Sequence, residues 1–139
     1  MAAKLEAILI VDDSSADNYA SRRLLTKAAI ARDVRDFTSA EAALAYLRSP
    51  GRPHINLILV DINMPRMNGF QFADEYELLY PELKANTRVV MLSASLNPAD
   101  QQRAESHPAI DGFMQKPIDV AQLQSFLSRL EEQASDRLN

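Results

Sequence analysis

The sequence predicts a single α/β domain in which five parallel strands alternate with five helices in one doubly wound sheet. Three observations predict it. Residues 5–11 (LEAILIV), 55–60 (INLILV) and 87–92 (TRVVML) are nearly continuous apolar runs, too short for helices and without the polar alternation of a half-exposed strand. Such runs alternate five times with stretches that carry helix caps and helical apolar spacing. The chain has 139 residues, 47% of them hydrophobic, which fits one domain with one core.

Taken in order, residues 5–11 form the first strand and end on Asp12 and Asp13. Ser14 with Asp17 three residues on has capping-box spacing, and Ala16, Ala20, Leu24 and Ala28 recur on one helical face to about Ala31. Residues 33–37 make a short, weak second strand. Thr38 with Glu41 repeats the capping-box spacing before Ala43, Leu44 and Leu47 of a second helix, which Pro50, Gly51 and Pro53 stop. The third strand ends on Asp61, and the turn INMPRMNG leads into a helix from about Asn68 to Tyr80. That helix carries Phe70, Ala73, Tyr76 and Leu79 inward and ends at Pro81. The fourth strand ends on Ser93. Asn97 and Pro98 then start a helix with no large apolar residue before His107 and Pro108 stop it, so it is expected to be weakly anchored. Residues 110–115 form the fifth strand, leading to Lys116 and Pro117. Asp119 caps a last helix with Val120, Leu123, Phe126, Leu127 and Leu130 on its inner face. The whole of 1–139 reads as one domain with its core at about 5–131, and 132–139 as a polar tail expected to fray.

Composition narrows the function. Net charge is −4 and the isoelectric point is near 5.1, so there is no basic footprint for nucleic acid or an anionic membrane, and partners are expected to be proteins or cations. There is no cysteine, which excludes disulfides, thiolate catalysis and cysteine-ligated metals. No apolar run approaches the roughly 18 residues of a membrane span, and MAAKLEAILIVDD lacks a signal peptide's basic start. The expectation is a soluble protein of the cytoplasm.

Every strand but the second ends in reactive chemistry. Right-handed crossovers winding outward from strand one give the order 2-1-3-4-5, with all strand ends on one edge. The switch point between strands one and three then gathers Asp12, Asp13 and Asp61, with Ser93 and Lys116 on the far wall of the crevice. Three close carboxylates repel, so either one stays protonated or a cation sits among them. Hard oxygens without His or Cys imply Mg²⁺ (or Mn²⁺). A phosphoryl group on an Asp61 oxygen would meet the metal, the Lys116 ammonium and the Ser93 hydroxyl, an aspartyl-phosphate site. Taken singly, each piece has an ordinary structural explanation: Asp61 as a turn organiser, Asp12 and Asp13 as helix-leading acids, Ser93 as a turn residue, Lys116 as a solvated lysine. His54 and His107 sit in loops and are read as solvated, without a role. Gly51, Gly69 and Gly112 are too scattered for a phosphate-cradling loop.

In ILIVDDS, LILVDINMPRMNG, VVMLSAS and FMQKP, which occur in order from Ile8 to about Leu130, the chain resembles the receiver domain of two-component response regulators. The resemblance implies a CheY-like, flavodoxin-like fold, with Asp61 as phosphoacceptor, Asp12 and Asp13 as metal acids, and Ser93 and Lys116 as the pair contacting the phosphoryl group. It also implies the backbone carbonyl of Asn63 as a metal ligand, and Phe113, in place of the family's frequent Tyr, as the aromatic that changes rotamer with Ser93 on activation. Phosphoryl donors would be a sensor histidine kinase or a histidine phosphotransfer protein. No output domain follows, so a stand-alone receiver acting on a downstream protein by contact is expected, with no enzymatic activity beyond its own phosphotransfer and dephosphorylation. An intermediate of a multi-step phosphorelay, a phosphorylation-independent interaction module and a Mg²⁺-dependent phosphohydrolase are the alternatives. The last lacks a general acid, because its second acid would stand where Asn63 is.

Overall fold

The computed structural model describes residues 4–79 and 86–138. The apolar runs become five strands: β1 Leu5–Val11, β2 Ala31–Phe37, β3 Leu57–Asp61, β4 Arg88–Ser93 and β5 Gly112–Gln115. All pair in parallel, in the predicted order β2-β1-β3-β4-β5. Five helices lie among the described residues: α1 Ser15–Lys27, α2 Ala40–Arg48, α3 Gly69–Glu77, α4 Pro98–Ser106 and α5 Val120–Leu138.

The two-residue period of the buried strands feeds two cores. Leu9, Val11, Ile58, Val60, Val89 and Met91 face a layer built from α2, α3 and Ala104 of α4, while Ile8, Ile10, Leu57, Leu59, Val90 and Leu92 face Leu25 of α1 and Leu123 and Phe126 of α5. Each of these strand residues is at most 1% exposed. At about 1.5–3 kcal/mol for each large side chain removed from water, the central strands hold the sheet edge rigidly.

Several local expectations are corrected. The alanine face of α1 points outward, and its inner face is Asn18, Ser21 and Leu25. A buried strand end has carbonyls that need donors, and the Asn18 amide supplies them, which fixes the helix's rotation. The N-cap of α2 is Ser39, whose hydroxyl accepts from the Ala42 N–H at 3.1 Å, one residue beyond the predicted Thr38. Helix α3 closes at Glu77 and also buries Phe72; the predicted stop at Pro81 lies outside the described residues, as does Tyr80. Helix α5 runs to Leu138, beyond the inner-face residues read from the sequence, through a stretch that contains Glu, Gln, Ala and Arg, all good helix formers. His107, read as solvated, is only 12% exposed. Its Nδ1 accepts from the Ala109 N–H at 3.0 Å, which leaves Nε2 to donate to Asp74 Oδ1 at 2.7 Å and ties the end of α4 to α3. No described helix is long and apolar enough to cross a membrane.

Candidate functional site

The carboxyl ends of β1, β3, β4 and β5 each deliver a polar side chain to one edge. Asp12 follows β1, with its N–H on the Phe37 carbonyl at 3.1 Å and its Oδ1 accepting from the Ser14 N–H at 2.9 Å. Asp61 closes β3. Beyond it the chain turns sharply: the Ile62 N–H reaches the Leu92 carbonyl at 3.0 Å and the Gly69 N–H returns to the Ile62 carbonyl at 2.9 Å. A Cβ on Gly69 would lie 2.7 Å from the Asp61 carbonyl oxygen, so this tight return needs glycine for lack of space. Ser93 closes β4, its Oγ accepting from the Ser95 N–H at 3.2 Å, and the Lys116 N–H bonds the Ser93 carbonyl at 2.7 Å. The Lys116–Pro117 peptide is cis.

Asp12, Asp61 and Ser93 are 2%, 5% and 1% exposed, while Asp13 is exposed. One carboxylate oxygen each from Asp12, Asp13 and Asp61 lies within 4.8 Å of the others. Lys116 Nζ donates to Asp12 Oδ2 at 2.8 Å and Asp17 Oδ2 at 2.9 Å, and stands 3.5 Å from Asp61 Oδ1. All five residues predicted from the sequence therefore reach one edge. Two of their neighbours were missed. Asp17 was read only as a capping partner, although an acid in the first turn after two site acids was the available signal. Asn18 has no signal in a periodicity reading, because a polar residue there looks solvent-facing.

Burial raises the Asp61 carboxyl to about 6, and the charge of Asp12 adds to the effect; Lys116 and the Asn63 N–H oppose it less strongly. Burial works against the Lys116 ammonium, but its hydrogen bonds to Asp12 and Asp17 and the nearby Asp61 charge outweigh that and hold it above the ordinary lysine range. An acid forced toward protonation beside two others, with hard oxygens alone as ligands, is compatible with a divalent metal ion. Phe113 sits half-buried on β5, paired with Met91 and lining a groove with Gln101, Ala104 and Glu105 of α4. It faces the same side of the sheet as Met91, two residues before Ser93.

The profile of the response regulator receiver domain matches residues 8–128. Response regulator Rcp1 of Synechocystis is 33% identical over 99 residues, covering 68% of this chain and 66% of Rcp1. The chain thus spans just under two thirds of that relative's length. A response regulator receiver protein from Dyadobacter fermentans superposes with a TM-score of 0.82 at 36% identity, over 89% of this chain and 96% of that one. A two-component response regulator from Cytophaga hutchinsonii superposes at 0.85 with 27% identity, over 94% and 99%. With its sheet order, its strand-end acids and these likenesses in agreement, the chain belongs to the response regulator receiver domain family, signalling domains that accept phosphoryl groups from histidine kinases.

Proposed function

We propose that Asp61 is the phosphoacceptor of a cytoplasmic phosphorelay signalling protein. The observation that carries this reading is the Asp61 carboxylate, buried beside two other acids with the Lys116 ammonium 3.5 Å away. An Asp61 oxygen attacks the phosphorus of a phosphohistidine on a sensor kinase or phosphotransfer protein. The P–N bond breaks, and the imidazole leaves with the electron pair and takes up a proton. Asp12, Asp13, Asp61 and the Asn63 carbonyl would hold Mg²⁺ (Mn²⁺ as substitute), which when bound offsets the charge that accumulates on the phosphoryl oxygens. Lys116, released from Asp12 and Asp17, places its ammonium on one of those oxygens, and the Ser93 hydroxyl donates to another. Water later attacks phosphorus, the P–O bond to Asp61 breaks, and inorganic phosphate departs, so the chemistry is confined to the domain's own modification.

The signal leaves by the other side of the sheet. Drawing Ser93 toward the dianion moves the loop after β4, and Phe113 turns into the space between β5 and α4, shifting a pre-existing equilibrium. Phe113 has no hydroxyl to hydrogen-bond in its new position, so packing alone favours that state. The surface offered to the downstream protein is α4 with β5, where few apolar contacts fix the helix.

Intact mass after incubation with acetyl phosphate and Mg²⁺ tests the reading. One added phosphoryl group, absent from Asp61→Asn and from a chelated sample, is the expected result. No adduct in any sample, together with no binding of beryllofluoride, would overturn it in favour of a phosphorylation-independent interaction module.

A further inference from the structure

Where β1 and β2 stop pairing, two backbone carbonyls are left at a buried corner. Val11 and Phe37 are the last residues in register, and Asp12 must leave the ladder to aim its carboxylate into the crevice. The carbonyls of Asp12 and Phe37 both accept from one side-chain amide: Asn18 Nδ2 lies 2.8 Å from the first and 3.2 Å from the second. Asn18 is fully buried in the first turns of α1. The amide's orientation is forced, because the reverse would set its oxygen against two carbonyl oxygens. The Phe37 carbonyl also takes the Asp12 N–H at 3.1 Å, so one strand-end oxygen and one amide together clamp Asp12 from both of its peptide units. The side chain itself is fixed separately, by the Ser14 N–H on Oδ1 and Lys116 on Oδ2.

We infer that Asn18 is a positioning residue for the divalent-metal site: it pins the backbone of Asp12, and through it the angle at which Asp12 and Asp13 present their carboxylates. This rests on the metal reading given above. An apolar residue of similar size at 18 leaves the buried Asp12 carbonyl without its donor and the Phe37 carbonyl with the Asp12 N–H alone, and the β1–α1 turn relaxes toward water or toward α1. Outer partners of metal ligands typically govern affinity by about 10–100-fold, which sets the size of the effect.

The test measures Mg²⁺ affinity by calorimetry and Mn²⁺ affinity by the electron paramagnetic resonance of the free ion, on the unaltered chain, Asn18→Leu, Asn18→Ser and Leu25→Ala. Leu25 is fully buried on the same face of α1, away from the acids, so its truncation reports what loosening the helix alone does. Asn18→Ser, with one hydroxyl able to reach at most one carbonyl, keeps the comparison readable where Asn18→Leu does not fold. The expected result is at least about tenfold weaker binding of both ions by Asn18→Leu, an intermediate loss in Asn18→Ser, and affinity within twofold of the unaltered chain in Leu25→Ala. Equal losses in Leu25→Ala and the Asn18 variants, or no loss in the latter, would overturn the inference while leaving the metal site standing. No binding by the unaltered chain would overturn the metal reading, and this inference with it.

Discussion

At the carboxyl edge of β1, β3 and β4, Asp12, Asp61 and Ser93 are all at most 5% exposed, and backbone hydrogen bonds from Asp12 to Phe37, from Ile62 to Leu92 and from Lys116 to Ser93 tie their segments together. At the α4 flank of the same sheet, a nine-residue helix buries one residue, Ala104. Its other ties to α3 are lateral: Arg103 lies 4.2 Å from the centre of the Phe70 ring, and His107, just after the helix, reaches the exposed Asp74. Phosphoryl transfer gains from groups held in place before the reaction, whereas a surface that must change arrangement gains from being held weakly. One sheet supports both because its central strands are buried on both faces while its β5 edge carries the loosely packed helix.

The sharpest way to break the comparison is at Asp61. Asp61→Asn is expected to abolish phosphoryl incorporation while leaving the fold more stable. The carboxyl titrates at about 6 in the fold against an ordinary 3.8, so the folded chain holds the proton more tightly than the unfolded one. The contribution of this group to stability is therefore fully present below pH 3.8 and is lost as pH rises from there through 6. At pH 7 without metal, the Asn variant should be more stable by about 1–3 kcal/mol in urea unfolding, a gain that disappears near pH 3.8 and shrinks when Mg²⁺ is added. A less stable Asn variant at pH 7 would mean that the pocket carries no stored electrostatic strain. Next in size is Gly69→Ala, whose new methyl meets the Asp61 carbonyl at 2.7 Å and Ile62 Cα at 2.9 Å, both backbone. It should cost about 1–3 kcal/mol and slow phosphorylation in the folded fraction, which stopped-flow with a small phosphodonor would read.

The rigid half of this comparison was legible in the sequence and the weak half only partly so. Residues 5–11, 55–60 and 87–92 have no polar alternation, so their character and their terminal acids could be read directly, and the strand order followed from crossover handedness. Helix α1 was misread because its rotation is set by a demand outside the helix, two strand-end carbonyls that the Asn18 amide bridges. Asp17 escaped for a similar reason: its partner Lys116 is 99 residues away. The poverty of α4 in apolar residues was visible, but its ties were not, since a ring stack and an imidazole bridge depend on which loop comes to rest beside which helix.

Those ties supply the smaller tests. His107→Ala removes both the acceptor for the Ala109 N–H and the bond to Asp74, and is expected to cost about 1 kcal/mol in global unfolding. Arg103→Ala removes the guanidinium from the Phe70 face, at about 0.5–1 kcal/mol. Neither contact reaches Asp61, so both variants should take up phosphate at the unaltered rate. Their effect should instead fall on amide exchange, which is expected to quicken over residues 98–106 several-fold more than over β1 or β3. Arg103→Ala sets the finer limit, because Phe70 follows Gly69 and packs in the same core as Met91 and Val60. If the loss of one surface cation quickened exchange at β3 as much as in α4, the helix and the acid pocket would be one cooperative unit, and the division between a rigid reacting edge and a yielding flank would fail.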